Sequence, residues 1–165
     1  PTLDFSAFLK ENIVRRVKAL SQDPAQEGIV LVAYGDHTYE KEWIALLQEA
    51  ADHVRRKIGI TSWSYAWCGH IAQYDPARTT DAVDLVLKDR QRAIVVPVLL
   101  AYDEMFQGGV IRNGVENVKE RSLRVTYKPD ALLPDANLIR WIIRSVATQT
   151  ALPDRAGNIS GERRK

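Results

Sequence analysis

Residues able to do acid–base or metal chemistry gather in two short stretches of the chain. Tyr34-Gly35-Asp36-His37-Thr38 holds an imidazole and a carboxylate, and Tyr102-Asp103-Glu104-Met105 adds two carboxylates, a phenol and a thioether. Brought together, Asp36, His37, Asp103 and Glu104 would suit binding a divalent metal or moving protons. Each stretch also has an ordinary structural use, because Asp36 or Thr38 suits a helix cap and Asp103-Glu104 suits a solvated loop. A weaker constellation is Trp67-Cys68-Gly69-His70, which reads as a two-donor pair or as a buried thiol beside a surface imidazole. His53, between Asp52 and Val54 and ahead of Arg55-Arg56-Lys57, reads as a solvated face residue of a helix.

Several common chemistries have no support. The sequence holds no Walker P-loop, no G-x-G-x-x-G, no H-E-x-x-H and no G-x-S-x-G, and Gly108-Gly109 alone is too little for a phosphate cradle. Its single cysteine excludes an internal disulfide and any site built from paired cysteines. With 23 Lys and Arg against 21 Asp and Glu, a net charge of +2, nucleic acid is excluded as the main partner. No apolar run approaches the roughly 20 residues that cross a bilayer. The 165 residues suffice for one domain with its own core. Because the chain begins at Pro1, export remains open alongside a cytoplasmic location.

The elements that must position these residues follow from periodicity. Phe8, Leu9, Ile13, Val17 and Leu20 predict a helix over 4–20, and Ile44, Leu47, Ala51, Val54 and Ile58 predict another over 39–57 that stops at Gly59. Ile29-Val30-Leu31-Val32-Ala33 predicts a strand buried on both faces, 60–67 a less buried second strand, and 93–100 a central third strand loosened by Pro97. A helix is expected from Pro76 to about Arg90, another between Met105 and Lys119, a fourth strand over 123–127 and a last helix after Pro134. Trp63 and Trp67 read as packing at a sheet edge, a surface that a flat hydrophobic ligand would also suit.

Strand and helix alternating four times specify an α/β fold: an open, mainly parallel four-stranded sheet with helices on both faces in three layers. The organisation expected is an N-terminal helix and linker over 1–27, the α/β domain over 28–150, and a polar tail over 151–165. Ligands of such sheets sit beyond the carboxyl ends of the strands, where strand order reverses. If the first and third strands are neighbours, both chemistry-bearing stretches face one cleft.

The segments VLVAYGD and IVVPVLLAY resemble the opening and later strands of the class II chelatases, the ferrochelatase and sirohydrochlorin cobaltochelatase group. VTYKPDALLPDANLIRWI is similar to the last strand and helix of that family, so the resemblance covers residues 28–146. ALSQDPAQEGIVLVAYG resembles the entry to the second domain of two-domain members. The resemblance implies insertion of a divalent metal, cobalt or iron, into a sirohydrochlorin-type tetrapyrrole without ATP, a lyase-class reaction. The metal is then a substrate, and no cofactor is permanently bound. The family uses one histidine after the first strand and another after the later one; here Tyr34 holds the first position and Met105 or Glu104 the second.

Three readings follow from the resemblance. In an active half-site, Tyr34, His37 and Glu104 are catalytic, His37, Asp103 and Glu104 bind the metal, and Tyr102, Met105 and Trp67 contact the ring. In the alternative, a non-catalytic domain completes a tetrapyrrole or metal cleft with a partner, either a second copy in a homodimer or a second chelatase-like domain. In the third, the chain carries a heme-like ring, with Trp63, Trp67 and Tyr102 as flat contacts and His37 or Met105 as axial ligand.

Overall fold

A computed structural model describes residues 5–150. Asp4, the expected start of the first helix, and the expected tail 151–165 lie outside the described residues. The described chain runs α1 (Phe5–Leu20), β1 (Glu27–Ala33), α2 (Glu40–Ile58), β2 (Ser62–Trp67), a 3-10 turn (His70–Ala72), α3 (Ala77–Leu87) and β3 (Arg92–Val98). A π-helix (Glu104–Val110) then leads into α4 (Ile111–Glu116), followed by a single turn α5 (Arg121–Arg124), β4 (Val125–Tyr127) and α6 (Ala136–Thr150). The four strands form one all-parallel sheet in the order β2-β1-β3-β4.

Alternation along the strands assigns the layers. Ile29, Leu31, Ile94 and Val96 point to one face and pack with Leu9, Ile13 and Val17 of α1 and Leu47 and Val54 of α2. Val30, Val32, Ala93 and Val95 point to the other and meet Val83 and Val86 of α3 and Ile111 and Val115 of α4. Burial of each such aliphatic side chain contributes about 1.5–3 kcal/mol. All seven residues of β1 are buried, which explains its unbroken apolar run. The three-layer α/β/α arrangement is thus as expected.

Ile13 and Val17 of the first helix are fully buried in the core on one face of the sheet. The linker after it is tied down by Glu27, whose buried carboxylate accepts from Ser21 Oγ at 2.5 Å and the Gln22 N–H at 3.0 Å. β1 therefore starts at Glu27, one residue before the expected boundary. At Gly28 the sheet and α3 approach so closely that a Cβ would lie 2.4 Å from Val86 Cγ1.

Element ends differ where loops take over the hydrogen bonds. β3 stops at Val98 because the Leu99 and Leu100 carbonyls accept from the N–H groups of Leu132 and Leu133. Leu123 and Arg124, expected in β4, form a helical turn, and Arg124 reaches the Leu87 carbonyl at 3.0 Å. β4 shortens to three residues paired with Ala93–Val95. No helix among the described residues is long and apolar enough to cross a membrane.

Candidate functional site

Strand order places β1 beside both β2 and β3, so the chain reverses its direction of winding between β1 and β3. The exits of these strands carry the residues singled out above, and the first and third strands are neighbours as expected. Tyr34, directly after β1, sets its ring edge-on to Phe106 beyond β3 and edge-on to His70 beyond β2, with centroids 5.5 Å apart in both cases. The Tyr74 hydroxyl lies 2.7 Å from His70 Nδ1 and 3.3 Å from Nε2, and the Tyr74 ring approaches Phe106 at 6.1 Å. Four rings from three strand exits therefore pack into one aromatic cluster, with one imidazole among them.

Glycine makes this possible at two points. A Cβ on Gly69 would lie 2.6 Å from the Tyr34 carbonyl oxygen and 2.8 Å from its ring, so only glycine lets Tyr34 lie against the β2 exit. Gly35 has φ +79° and lies under Trp67, whose ring a Cβ would meet at 2.9 Å. The Tyr34 phenol is held above the ordinary phenol range, first by its hydrogen bond with Tyr74 and then by burial.

The acidic residues are largely occupied. Asp36 Oδ1 accepts from the N–H groups of Thr38 at 2.8 Å and Tyr39 at 3.2 Å, closing the turn into α2. Asp103 is the N-cap of the π-helix, its Oδ1 accepting from the Met105 N–H at 2.8 Å. Glu104 accepts from the Tyr102 hydroxyl, which raises the Tyr102 phenol above its ordinary value, and its carboxylate folds over Gly108, where a Cβ would stand 2.1 Å away. His37 lies on the exposed turn before α2. Among the described residues no three His, Cys, Asp or Glu side chains converge as a metal-holding group, so His37, Asp103 and Glu104 do not form one.

Trp67 is buried beneath Gly35, and Trp63 stacks with Tyr65 on the edge strand β2, leaving both outside the crevice wall. Met105 and Tyr102 are about half exposed at the β3 exit. Tyr102 turns toward a second cavity of about 400 Å³, which Lys128 and Arg16 also line. Cys68 is fully buried while His70 two residues on is exposed, the plainer of the two readings of that pair. His53 is paired rather than solvated, its Nε2 2.8 Å from Glu11 on α1.

Three site residues escaped sequence reasoning. Tyr74 carries positive φ in the turn after His70, and Phe106 follows the capped π-helix start; their types and spacing gave no sign that they meet. Gln107, fully buried, donates to the carbonyls of Ala101 and Asp130 and accepts from the Asp103 N–H. It staples the β3 exit to the β4 exit. The π-helix that carries Phe106 and Gln107 is a rare form that frequently marks functional segments. No protein-family model and no curated protein matches this chain.

Proposed function

We propose that the chain is a chelatase-like domain that takes a flat tetrapyrrole at the crevice between the β1 and β3 exits. There the ring would exchange its two pyrrole N–H protons for a divalent metal, cobalt or iron, supplied as substrate. The observation that supports the reading is the cluster of Tyr34, His70, Tyr74 and Phe106 at the point where strand order reverses. Aromatic faces and edges suit a large conjugated ring, and that position in an open sheet is where ligands bind.

Tyr34 occupies the place where the resembled family carries its first histidine, and His70 lies against it. An imidazole thus reaches the same spot from the next strand. Metal insertion releases two protons for each metal ion taken up. On this reading His70 would accept one, and Glu104, the carboxylate at the β3 exit, would accept the other. Tyr74 orients the imidazole by its hydrogen bond.

A second reading is favoured by the engagement of Asp36 and Asp103 with backbone amides and by the absence of a three-donor set among the described residues. On that reading the domain binds the ring while a partner domain handles the metal. Titration with sirohydrochlorin followed by absorbance, then addition of Co(II), separates the two. Saturable ring binding with insertion faster than the protein-free control, slowed at least tenfold by His70→Ala or Glu104→Gln, supports the first. Saturable binding without faster insertion supports the second. A failure to bind the ring overturns both.

A further inference from the structure

The net charge of +2 hides two poles. All four strands run parallel, so each connecting helix runs back, and the last turns of α2 and α3, the segment after α4 and the strand starts gather at one end of the sheet. Residues 21–27, 55–62, 85–92 and 116–124, which make up that end, hold nine Lys and Arg against five Asp and Glu. At the strand exits, residues 34–42, 68–78, 99–107 and 128–135 hold three against eight, and Arg15 and Arg16 of α1 offset only Asp135 and Asp130 there. Strands of seven residues set the two poles roughly 20 Å apart. That is more than twice the Debye length of about 8 Å at physiological salt, so each pole meets its surroundings on its own charge.

At the amino end of the sheet the positive charge is open. Arg55 pairs with Asp52 and Arg92 with Glu27, but Lys88, Arg90, Lys119, Arg121 and Arg124 have no carboxylate within 4.0 Å among the described residues, although Asp89 and Glu120 lie in the same segments. Neutral groups hold the arginines in place. Arg124 donates to the carbonyls of Leu87 at 3.0 Å and of Arg90 and Gln91 at 3.4 Å, and Arg90 donates to the Asp89 carbonyl and the Thr61 hydroxyl. Between Arg121 and Arg124 stands Leu123, 77% exposed and the most exposed large hydrophobic side chain among the described residues. Helix dipoles account for cations at the end of a long helix such as α2, whereas α5 is a single turn and Lys119 lies in the turn before it.

We infer that this end of the sheet docks on an anionic lipid surface, with Leu123 entering the headgroup layer and the five cations on the phosphates around it. The strand exits then face away from the lipid. Charge and the leucine together select this occupant: cations from two separate segments surround an exposed aliphatic side chain, which matches a broad anionic sheet with an apolar layer beneath it. An acidic peptide or duplex DNA answers the charge but gives Leu123 no apolar layer to enter. A second copy offering its acidic exits would stack head to tail into an open filament. The inference stands apart from the tetrapyrrole reading.

The test uses the full chain with vesicles of equal parts phosphatidylglycerol and phosphatidylcholine, beside vesicles of phosphatidylcholine alone. Co-sedimentation is expected to show saturable binding to the first and roughly tenfold weaker binding to the second. Salt at about 0.5 M should release the protein. Lys88→Glu combined with Lys119→Glu, both exposed, should weaken binding roughly tenfold with an unchanged melting curve showing that the fold is kept. Leu123→Ser should weaken it roughly threefold, and Arg78→Glu at the opposite end should leave it unchanged. Equal binding to both vesicles, or binding to neither, overturns the inference. So does binding that survives the paired lysine substitutions, or that Ile143→Asp on the exposed face of α6 removes instead. A glutamate-rich peptide or duplex DNA held as tightly as the anionic vesicles, or lipid-free assembly in sedimentation that the lysine substitutions abolish, overturns it as well.

Discussion

The phenol oxygen of Tyr74 lies 2.7 Å from Nδ1 of His70, and this contact fixes the crevice's single imidazole against the ring of Tyr34. A hydroxyl that holds an imidazole contributes through orientation, and its loss costs about 0.5–1.5 kcal/mol. Tyr74→Phe is therefore expected to weaken sirohydrochlorin binding by about 2–10-fold, and His70→Ala to weaken it further. Absorbance titrations of the two variants check this, and equal affinity in wild type and both variants would contradict it.

Gly69 is where a small change should disturb the crevice more than the fold. Alanine there would press on the Tyr34 carbonyl and ring. Overpacking of this kind costs about 1–3 kcal/mol. Gly69→Ala should lower the urea midpoint by that amount and move the Tyr34 ring, seen as a loss of ring binding at least as large as that of Tyr74→Phe. Retained binding with a lowered midpoint would separate Tyr34 from the site.

Burial holds the Cys68 thiol up to about 12, against an ordinary value near 9. In the folded chain the thiol stays protonated where the unfolded chain would already ionise. The stabilisation is complete below pH 9 and is lost as pH rises from about 9 toward 12. Tyr127, pushed up by burial as well, acts in the same direction. Urea midpoints should fall over that window, and Cys68→Ala should fall less steeply. Native protein at pH 8 should also resist thiol reagents that label the unfolded chain, and rapid native labelling would count against the buried thiol.

Glu27 is fully buried at the amino end of β1, with its oxygens on Ser21, Gln22 and, at 3.6 Å, Arg92. Glu27→Ala leaves the Gln22 N–H and Ser21 hydroxyl without this acceptor and should cost about 1–3 kcal/mol in chemical denaturation. A loss below 1 kcal/mol would mean that the linker re-forms its bonds elsewhere.

What could be read in advance was whatever depends on local periodicity. Ile29–Ala33 and Ala93–Val98 announced buried strands, the Leu47–Val54 spacing announced α2, and Gly59 at φ +93° ended it as a left-handed cap should. Phe106 and Tyr74 were not readable, because they meet only after three strand exits are brought side by side. Asp36 and Asp103 were readable by type but not by use: a carboxylate before a helix serves a backbone amide as readily as a metal, and here both serve amides. α6 forms after Pro134 as expected, yet the sequence alone carries no information on which side of a helix the body of the chain will occupy.

The register of β1 with β3, Glu27 opposite Arg92 through Ala33 opposite Val98, has a consequence for how the chain can be cut. Every contact between these strands spans more than sixty positions of sequence, with α2, β2 and α3 folded in between. Closing so long a loop is an entropic cost met only once the intervening layers are in place. A fragment ending before Arg92 would contain Tyr34, His70 and Tyr74 but no Phe106 and no β3 to pair with β1. The crevice is thus a property of the complete sheet, and ring binding should appear in refolding experiments together with the last cooperative phase, never ahead of it.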